Sequence, residues 1–416
     1  MRITGVNKNF DVEVDLVGSK SESNRALMIG YYGGFTPRVK NLSTSDDTQL
    51  LRTILQSLPV KTRFIASHNP IIIDCHNAGT VLRFLLTALA FRDGEYVLTG
   101  SDRMLQRPVG DLVDALRTMG ANIEYIGQEG LPPLRIHGVG TDRVCPSDRV
   151  CPSQRINVDI THSSQFASSL LLAKPSHLHL DGDLSSLPYI DMTIDIMCHF
   201  SAHVKREGCD IFVQPSDYHD IEYTVESDWT CASYWYEMVA FSDNGRARLH
   251  NLHLDSKQGD AIVAKWFEQF GVQSIQDGND VIITHVRTDR VCPRLNDRDC
   301  AYSFDFLNNP DLYPTIAATC AGLNVKGNFT GLRNLKHKES DRVAAMVSEL
   351  SKVGTDRVCP PVFDSHNDHR IAMALAPLAM KIGAIEINNA DVVSKSYPNF
   401  WKEISQILSC AEGTPF

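Results

Sequence analysis

A unit of amphipathic helix, small residue and short β-rich run recurs about six times along this chain, and few patterns narrow a fold as much. The clearest copies start at Asp111, which runs to Gly120 before Ala121–Tyr125, and at Ala261, which runs to Phe270 before Gly271 and Val272–Ile275. Val343, Met346, Val347 and Leu350 fall at i, i+3, i+4 and i+7 ahead of Gly354, and Ile371–Lys381 leads through Gly383 into Ala384–Ile387. Weaker copies end near Leu58 and Ala202. Glycine after a last helical turn supplies the left-handed residue that reverses the chain. The spacing, roughly 70 to 80 residues between clear copies, is too long for a solenoid. Helices alternating with β-rich runs predict α/β layers.

The length of 416 residues fits two or three domains, each able to bury a core. Forty Lys+Arg against fifty Asp+Glu give a net charge of −10, which argues against a nucleic-acid partner. No apolar run reaches the roughly 18 residues of a membrane span, so no membrane partner is expected. The start, Met1-Arg2-Ile3-Thr4-Gly5, runs straight into strand-like sequence, and the expectation is a cytoplasmic protein with reduced thiols. None of the eleven cysteines stands in C-x-x-C spacing, and there is no H-E-x-x-H, G-x-G-x-x-G or G-x-x-x-x-G-K-[ST]. No metal and no nucleotide cofactor is expected. One pentapeptide, Asp-Arg-Val-Cys-Pro, occurs four times, starting at Asp142, Asp148, Asp289 and Asp356. Identical segments at irregular intervals do not encode a fold. They read as loop filler at hairpin tips and helix-to-strand loops.

Polar, mostly basic residues gather instead at predicted helix starts. Gly18-Ser-Lys-Ser-Glu-Ser-Asn-Arg25 opens a helix after the strand-like Val12–Val17. Ser19 and Glu22 read as a capping box, while Lys20, Ser21 and Arg25 suit an anion near exposed helical N–H groups. Asn77-Ala-Gly-Thr80, with Arg83 one turn on, repeats that logic, and Gly79 permits close backbone approach. Arg103 and Arg107 flank a loop before Pro108, either as a guanidinium fork or as solvated charges. Ser163, Ser164 and Gln165 open another helix as caps or ligand contacts, and Ser185-Ser186-Leu187-Pro188-Tyr189 is a similar turn. Lys336–Arg342 reads as a charge run on a solvated first turn, and Asp368 reads as the N-cap of the helix that follows Asn367. Each signal alone is weak. Their recurrence favours a ligand with more than one anionic group.

Taken in order, Gly18–Arg25, Asn77–Thr80 with Arg83, Leu98–Gly100 through Arg107-Pro108, Ser163–Gln165, Lys338-Glu339 with Asp341-Arg342, and Asp368–Arg370 resemble the 5-enolpyruvylshikimate-3-phosphate synthases (3-phosphoshikimate 1-carboxyvinyltransferases) of the enolpyruvyl transferase family. The resemblance runs from about residue 16 to 400. It implies transfer of the carboxyvinyl group of phosphoenolpyruvate to the 5-hydroxyl of shikimate 3-phosphate, with release of phosphate and without a metal or organic cofactor. It also implies two domains, each of three βαβαββ units, with the active site in an interdomain cleft. One domain would be discontinuous, 1–18 plus 228–416, and 19–227 would form the other. A monomer is expected.

Residue by residue, the resemblance implies that Lys20, Ser21, Arg25, Ser163, Ser164, Gln165, Ser186, Asp311, Asn334 and Lys338 hold shikimate 3-phosphate. Phosphoenolpyruvate would be held by Lys20, Gly79, Arg107, Gln165, Arg342, Arg370 and Lys395. Asn77, Arg83, Tyr189 and His369 would support them. Asp311 would accept the hydroxyl proton and Glu339 would protonate the enol methylene, with Lys20 beside them. The related UDP-N-acetylglucosamine enolpyruvyl transferases share fold and donor but use a loop cysteine and lack the Lys338-Glu339 and Asp368–Arg370 set. A non-catalytic anion-binding protein of the same fold is the other alternative. Phe84 stands where a proline is common, which would shift the turn bearing Gly79, and Trp229 replaces a small residue.

Overall fold

Four times the chain lays down strand, helix, strand, helix, strand, strand, and each set closes one four-stranded sheet of order 1-2-4-3. In this computed structural model, which describes residues 1–58, 69–139, 155–286, 301–354 and 359–410, the first complete set begins at Ile71–Asp74. That strand lies parallel to Gly94–Thr99, which pairs antiparallel with Leu134–Gly138, which in turn pairs with Asn122–Tyr125. The helix Gly79–Ala90 crosses between the parallel pair. A parallel pair needs such a crossover and an antiparallel pair only a tight turn, so the sequence pattern fixes which strands can be neighbours. The set from Arg155–Asp159 to Asp210–Gln214 repeats this order. On its sheet His177 and His179 lie on one face and both approach Asp210 Oδ1, at 2.7 and 2.8 Å.

The chain divides into two compact units: Met1–Ser19, Ser43–Asp46 and Glu226–Phe416 form one, and Lys20–Leu42 with Asp47–Val225 form the other. The first unit carries the remaining two sets. Asn9–Val14 pairs parallel with Asn244–Leu249 across the helix Trp229–Phe241, so the chain's second strand begins a set completed more than 200 residues later. Arg2–Val6 supplies the fourth strand of the last set, between Ile385–Asn388 and Leu408–Cys410. Among the described residues, two full sheets form in each unit where three were expected. The third position holds a parallel pair only: Ala301–Asp305 with Lys326–Thr330, and Val39–Lys40 with Tyr223–Thr224.

The punctuation read from the sequence holds. Gly120, Gly271, Gly354 and Gly383 have φ of 94°, 79°, 78° and 84°. The helix that begins at Gly79 runs unbroken through Phe84, whose buried ring lies 5.7 Å from the Arg25 guanidinium. Trp229 is buried too, and its indole N–H donates to Glu226 at 2.9 Å. Further contacts are made at the two capping-box positions. The Ser19 amide donates to the Glu226 carbonyl, and the Glu22 carboxylate accepts from the Tyr223 hydroxyl at 2.6 Å. The Asp-Arg-Val-Cys-Pro copies lie outside the described residues, save the exposed Cys359 and its neighbour Pro360. Among the described residues no helix is long and apolar enough to cross a membrane.

The helix Trp229–Phe241 is buried at every position, as expected of a sequence apolar nearly all round, and it packs on the helix Tyr313–Gly322. Glu237 is the exception within it. Both carboxylate oxygens are sealed without a hydrogen bond, and burial pushes the carboxyl well above its ordinary value. Below the unfolded-state pKa both states hold the proton. Above it the unfolded chain ionises while the folded one does not, so stability falls as pH rises. Glu237→Gln therefore gains stability relative to the parent by about 1.4 kcal/mol per pH unit above the unfolded pKa. Urea unfolding at pH 5 and pH 8 checks this; an equal difference at both removes the ionisation account.

Candidate functional site

In the first unit the sequence places charged residues at three successive helix entries. Asp311 sits in the 3-10 turn Pro310–Leu312 that starts the helix Tyr313–Gly322. Arg342 is the first residue of the helix Arg342–Leu350, capped by Asp341. Asp368 caps the helix His369–Leu375, as the sequence suggested, by accepting the Arg370 amide at 3.0 Å. These three helices pack together, which brings the three charged entries into contact.

The predicted solvated turn is exposed at Lys336 and Asp341, whereas Arg342 turns inward. Arg342 is 1% exposed. Its Nε donates to Asp368 at 2.8 Å, Nη1 to Asp311 at 2.6 Å and Nη2 to Glu339 at 2.9 Å. Arg370 donates to the other Asp311 oxygen at 2.8 Å, Lys338 lies 3.5 Å from Asp311, and Lys395 donates to the other Glu339 oxygen at 2.9 Å. Glu339 and Asp311 are thus each bound on both oxygens by cations. Such pairing offsets the burial of this guanidinium, because desolvation of an unmatched charge costs several kcal/mol. Burial works against the Arg342 charge, and Asp368, Asp311 and Glu339 outweigh it, holding its pKa above the ordinary value. Burial likewise works against Asp311 as an anion, yet Arg370, Lys338 and Arg342 hold its carboxyl well below the usual range.

The buried His369 lies next along the chain from Asp368, with Nδ1 3.8 Å from that carboxylate. Asn334 belongs to the turn Arg333–His337 and is half-buried. Sequence reasoning passed over Asp260. It is 4% exposed and accepts from Thr230 Oγ1 at 2.5 Å and from Asn309 Nδ2 at 3.2 Å. Its only signal in the sequence is a polar Gln258-Gly259-Asp260 turn ahead of an amphipathic helix.

In the second unit, four helices that begin at Lys20, Gly79, Gln165 and Leu187 carry the other candidates. Arg25 is 2% exposed and ties three of them together. It donates to Thr193 Oγ1 at 2.7 Å, to Ser168 Oγ at 3.0 Å, and to the Tyr189 and Ser21 carbonyls at 2.9 Å each. All four acceptors are neutral, and burial pushes this guanidinium down to about 10. Arg83 donates to the Gln165 amide oxygen at 2.7 Å, and Gln165 donates to Thr80 Oγ1 at 2.8 Å, joining two helix starts. Ser164 is the N-cap position of the Gln165 helix, the Ser163 hydroxyl accepts the Gln165 amide, and Ser186 adopts φ 56° before Leu187. Lys20 lies 3.3 Å from Asp47. Asn77 belongs to the turn ahead of the Gly79 helix. A Cβ at Gly79 would stand 2.6 Å from Arg107 Nη1, so the glycine leaves the space that this buried guanidinium fills.

A family model described as EPSP synthase (3-phosphoshikimate 1-carboxyvinyltransferase) matches residues 6–404. A 3-phosphoshikimate 1-carboxyvinyltransferase of Bacteroides fragilis strain YCH46 is 36% identical, over 94% of this chain and 94% of the relative. One from Vibrio cholerae serotype O1 strain M66-2 is 34% identical, over 95% and 96%. A solved EPSP synthase from Acinetobacter baumannii superposes with a TM-score of 0.72 at 21% identity, covering 98% of each chain.

Removing one partner from a buried ion pair leaves the other charge stranded. Asp368→Ala is therefore expected to lower unfolding stability by about 3 kcal/mol, measured by urea denaturation, while Asp341→Ala, which removes an exposed cap, costs about 1 kcal/mol. Equal losses would mean that burial of the Arg342 network does not set its stability.

Proposed function

The chain belongs to the EPSP synthase family, and on that premise we propose that it transfers the carboxyvinyl group of phosphoenolpyruvate to the 5-hydroxyl of shikimate 3-phosphate, releasing phosphate. The protein then acts in the shikimate pathway of aromatic amino-acid biosynthesis, as a cytoplasmic monomer. The observation that carries the chemistry is the placing of Asp311 among Arg342, Arg370 and Lys338, and of Glu339 between Arg342 and Lys395 of the same network.

Without substrate, Asp311 is held ionised and is a weak base, and both Glu339 oxygens are occupied, by Arg342 and Lys395. An anionic ligand that draws Arg370, Lys338 and Lys395 onto its own phosphate or carboxylate releases Asp311 and Glu339, and the loss of positive charge raises their basicity. Asp311 can then accept the proton of the 5-hydroxyl as its oxygen bonds to C2 of the enol. Glu339, once its raised basicity has let it take a proton from solvent, gives that proton to the C3 methylene, forming a methyl group on a tetrahedral intermediate. Arg342, Arg370 and Lys395 stabilise that intermediate. Loss of phosphate from C2 and of one C3 proton then restores the double bond. In this reading Lys20, Gly79, Arg107, Gln165, Arg342, Arg370 and Lys395 serve phosphoenolpyruvate. Lys20, Ser21, Arg25, Ser163, Ser164, Gln165, Ser186, Asp311, Asn334 and Lys338 serve shikimate 3-phosphate, and Asn77, Arg83, Tyr189 and His369 support both sets. Arg25 donates to neutral acceptors and makes no ion pair among the described residues, which favours an anion near the helix starts of its unit.

Phosphate release from phosphoenolpyruvate tests the proposal. Release that requires shikimate 3-phosphate supports it; release only with UDP-N-acetylglucosamine, or with neither acceptor, contradicts it. Glu339→Gln should bind both substrates yet turn over at least ~100-fold more slowly, and unchanged turnover would remove Glu339 from the proton transfers. Gly79→Ala forces Arg107 to move, so the KM for phosphoenolpyruvate rises roughly tenfold or more while that for shikimate 3-phosphate stays close to the parent value.

A further inference from the structure

One buried carboxylate stands behind the catalytic cluster without being needed to neutralise Arg342. Asp260 lies on the turn Gly259–Ile262, and its two oxygens take hydrogen bonds only from neutral donors, Thr230 and Asn309. Asn309 is itself buried and directly precedes Pro310-Asp311, and its carbonyl accepts the Leu312 amide at 3.1 Å. The contact thus ties Asp260 to the turn that carries Asp311. The charged groups that act on Asp260 are Asp311 on that turn and Arg370 on the helix His369–Leu375. The helix Trp229–Phe241 brings Thr230, and Lys265 on the helix that follows Asp260 is exposed.

We propose that Asp260 is a positioning residue for Asp311: it anchors the Asn309 turn and, while ionised, keeps a second negative charge behind the Asp311 carboxylate. The inference rests on the reading of Asp311 as the base. Asp311 needs such help because Arg370, Lys338 and Arg342 hold it well below the ordinary carboxylate range. A neighbouring negative charge opposes them and makes it a better proton acceptor. Burial first, and then the Asp311 charge, push the Asp260 carboxyl up to about 6, while Thr230, Arg370 and Asn309 pull it down. As pH falls through that value Asp260 takes a proton, and its support for Asp311 is lost.

The test is the pH profile of kcat, at saturating substrates, for the parent protein, Asp260→Asn, Thr230→Val and Asp311→Asn. Asparagine can keep both contacts at position 260, accepting from Asn309 and donating to the Thr230 hydroxyl, but carries no charge. The parent should lose activity as pH falls through about 6. Asp260→Asn should be roughly tenfold slower at neutral pH and lack that fall. Thr230→Val removes a donor that favours the ionised form, so the acidic limb should move to higher pH. A parental profile in Asp260→Asn, a uniform loss that leaves the limb in place, or an unmoved limb in Thr230→Val overturns the inference. If Asp260→Asn does not fold, the Thr230→Val limb decides alone. Asp311→Asn separates the two levels: an inactive variant beside a parental Asp260→Asn sinks only the Asp260 inference, whereas full activity in Asp311→Asn sinks the base reading beneath it.

Discussion

Arg342 is 1% exposed and matched by three carboxylates, and that pairing decides much else in its unit. The three partners come from separate places: the turn before one helix, the loop that leads to Arg342's own helix, and the cap of a third. None of those helices is long, and short helices draw most of their stability from packing rather than propensity. The shared cation makes their starting points mutually dependent. The same network holds Asp311 ionised and places Lys338, Arg370 and Lys395 beside Asp311 and Glu339. Structural pairing and chemical readiness are one arrangement, so substitutions here are expected to change stability and turnover together.

The second unit solves the burial of a cation differently. Arg25 meets hydroxyls and carbonyls rather than carboxylates. Its charge is satisfied as a donor but not cancelled, and burial leaves its proton less tightly held than in a free guanidinium. Gly79 and Arg107 show the same economy of space, with a backbone lacking Cβ where the guanidinium presses closest.

The fold was legible because its signals are local. Helical periodicity, glycines at helix ends and the count of repeated units predicted the α/β layering, and those glycines adopt left-handed geometry. The borrowed strands, Arg2–Val6 and Asn9–Val14, carry no local mark of their distant partners; the family resemblance, not the residue pattern, implied that the first strand joins the C-terminal half. The site was half legible. Helix starts rich in Lys, Arg and Ser were visible as anion-binding candidates. The burial of Arg342 was not, because a dense charge run reads as solvent-facing until three carboxylates from separate segments converge on it. Asp260 was invisible for the same reason: one aspartate in a polar turn looks ordinary until its neighbours Thr230, 30 residues earlier, and Asn309, 49 residues later, are in place. The net charge of −10 argued against a nucleic-acid partner yet said nothing about these local basic clusters.

The account's central claim is that the chain moves a carboxyvinyl group by protonating the enol methylene and later removing a proton from the resulting methyl group. Mass spectrometry of the product formed from phosphoenolpyruvate and shikimate 3-phosphate in deuterium oxide tests it directly. The predicted result is a carboxyvinyl ether of shikimate 3-phosphate that carries deuterium in its vinyl methylene. Unchanged substrates, or a product free of deuterium, would contradict the account.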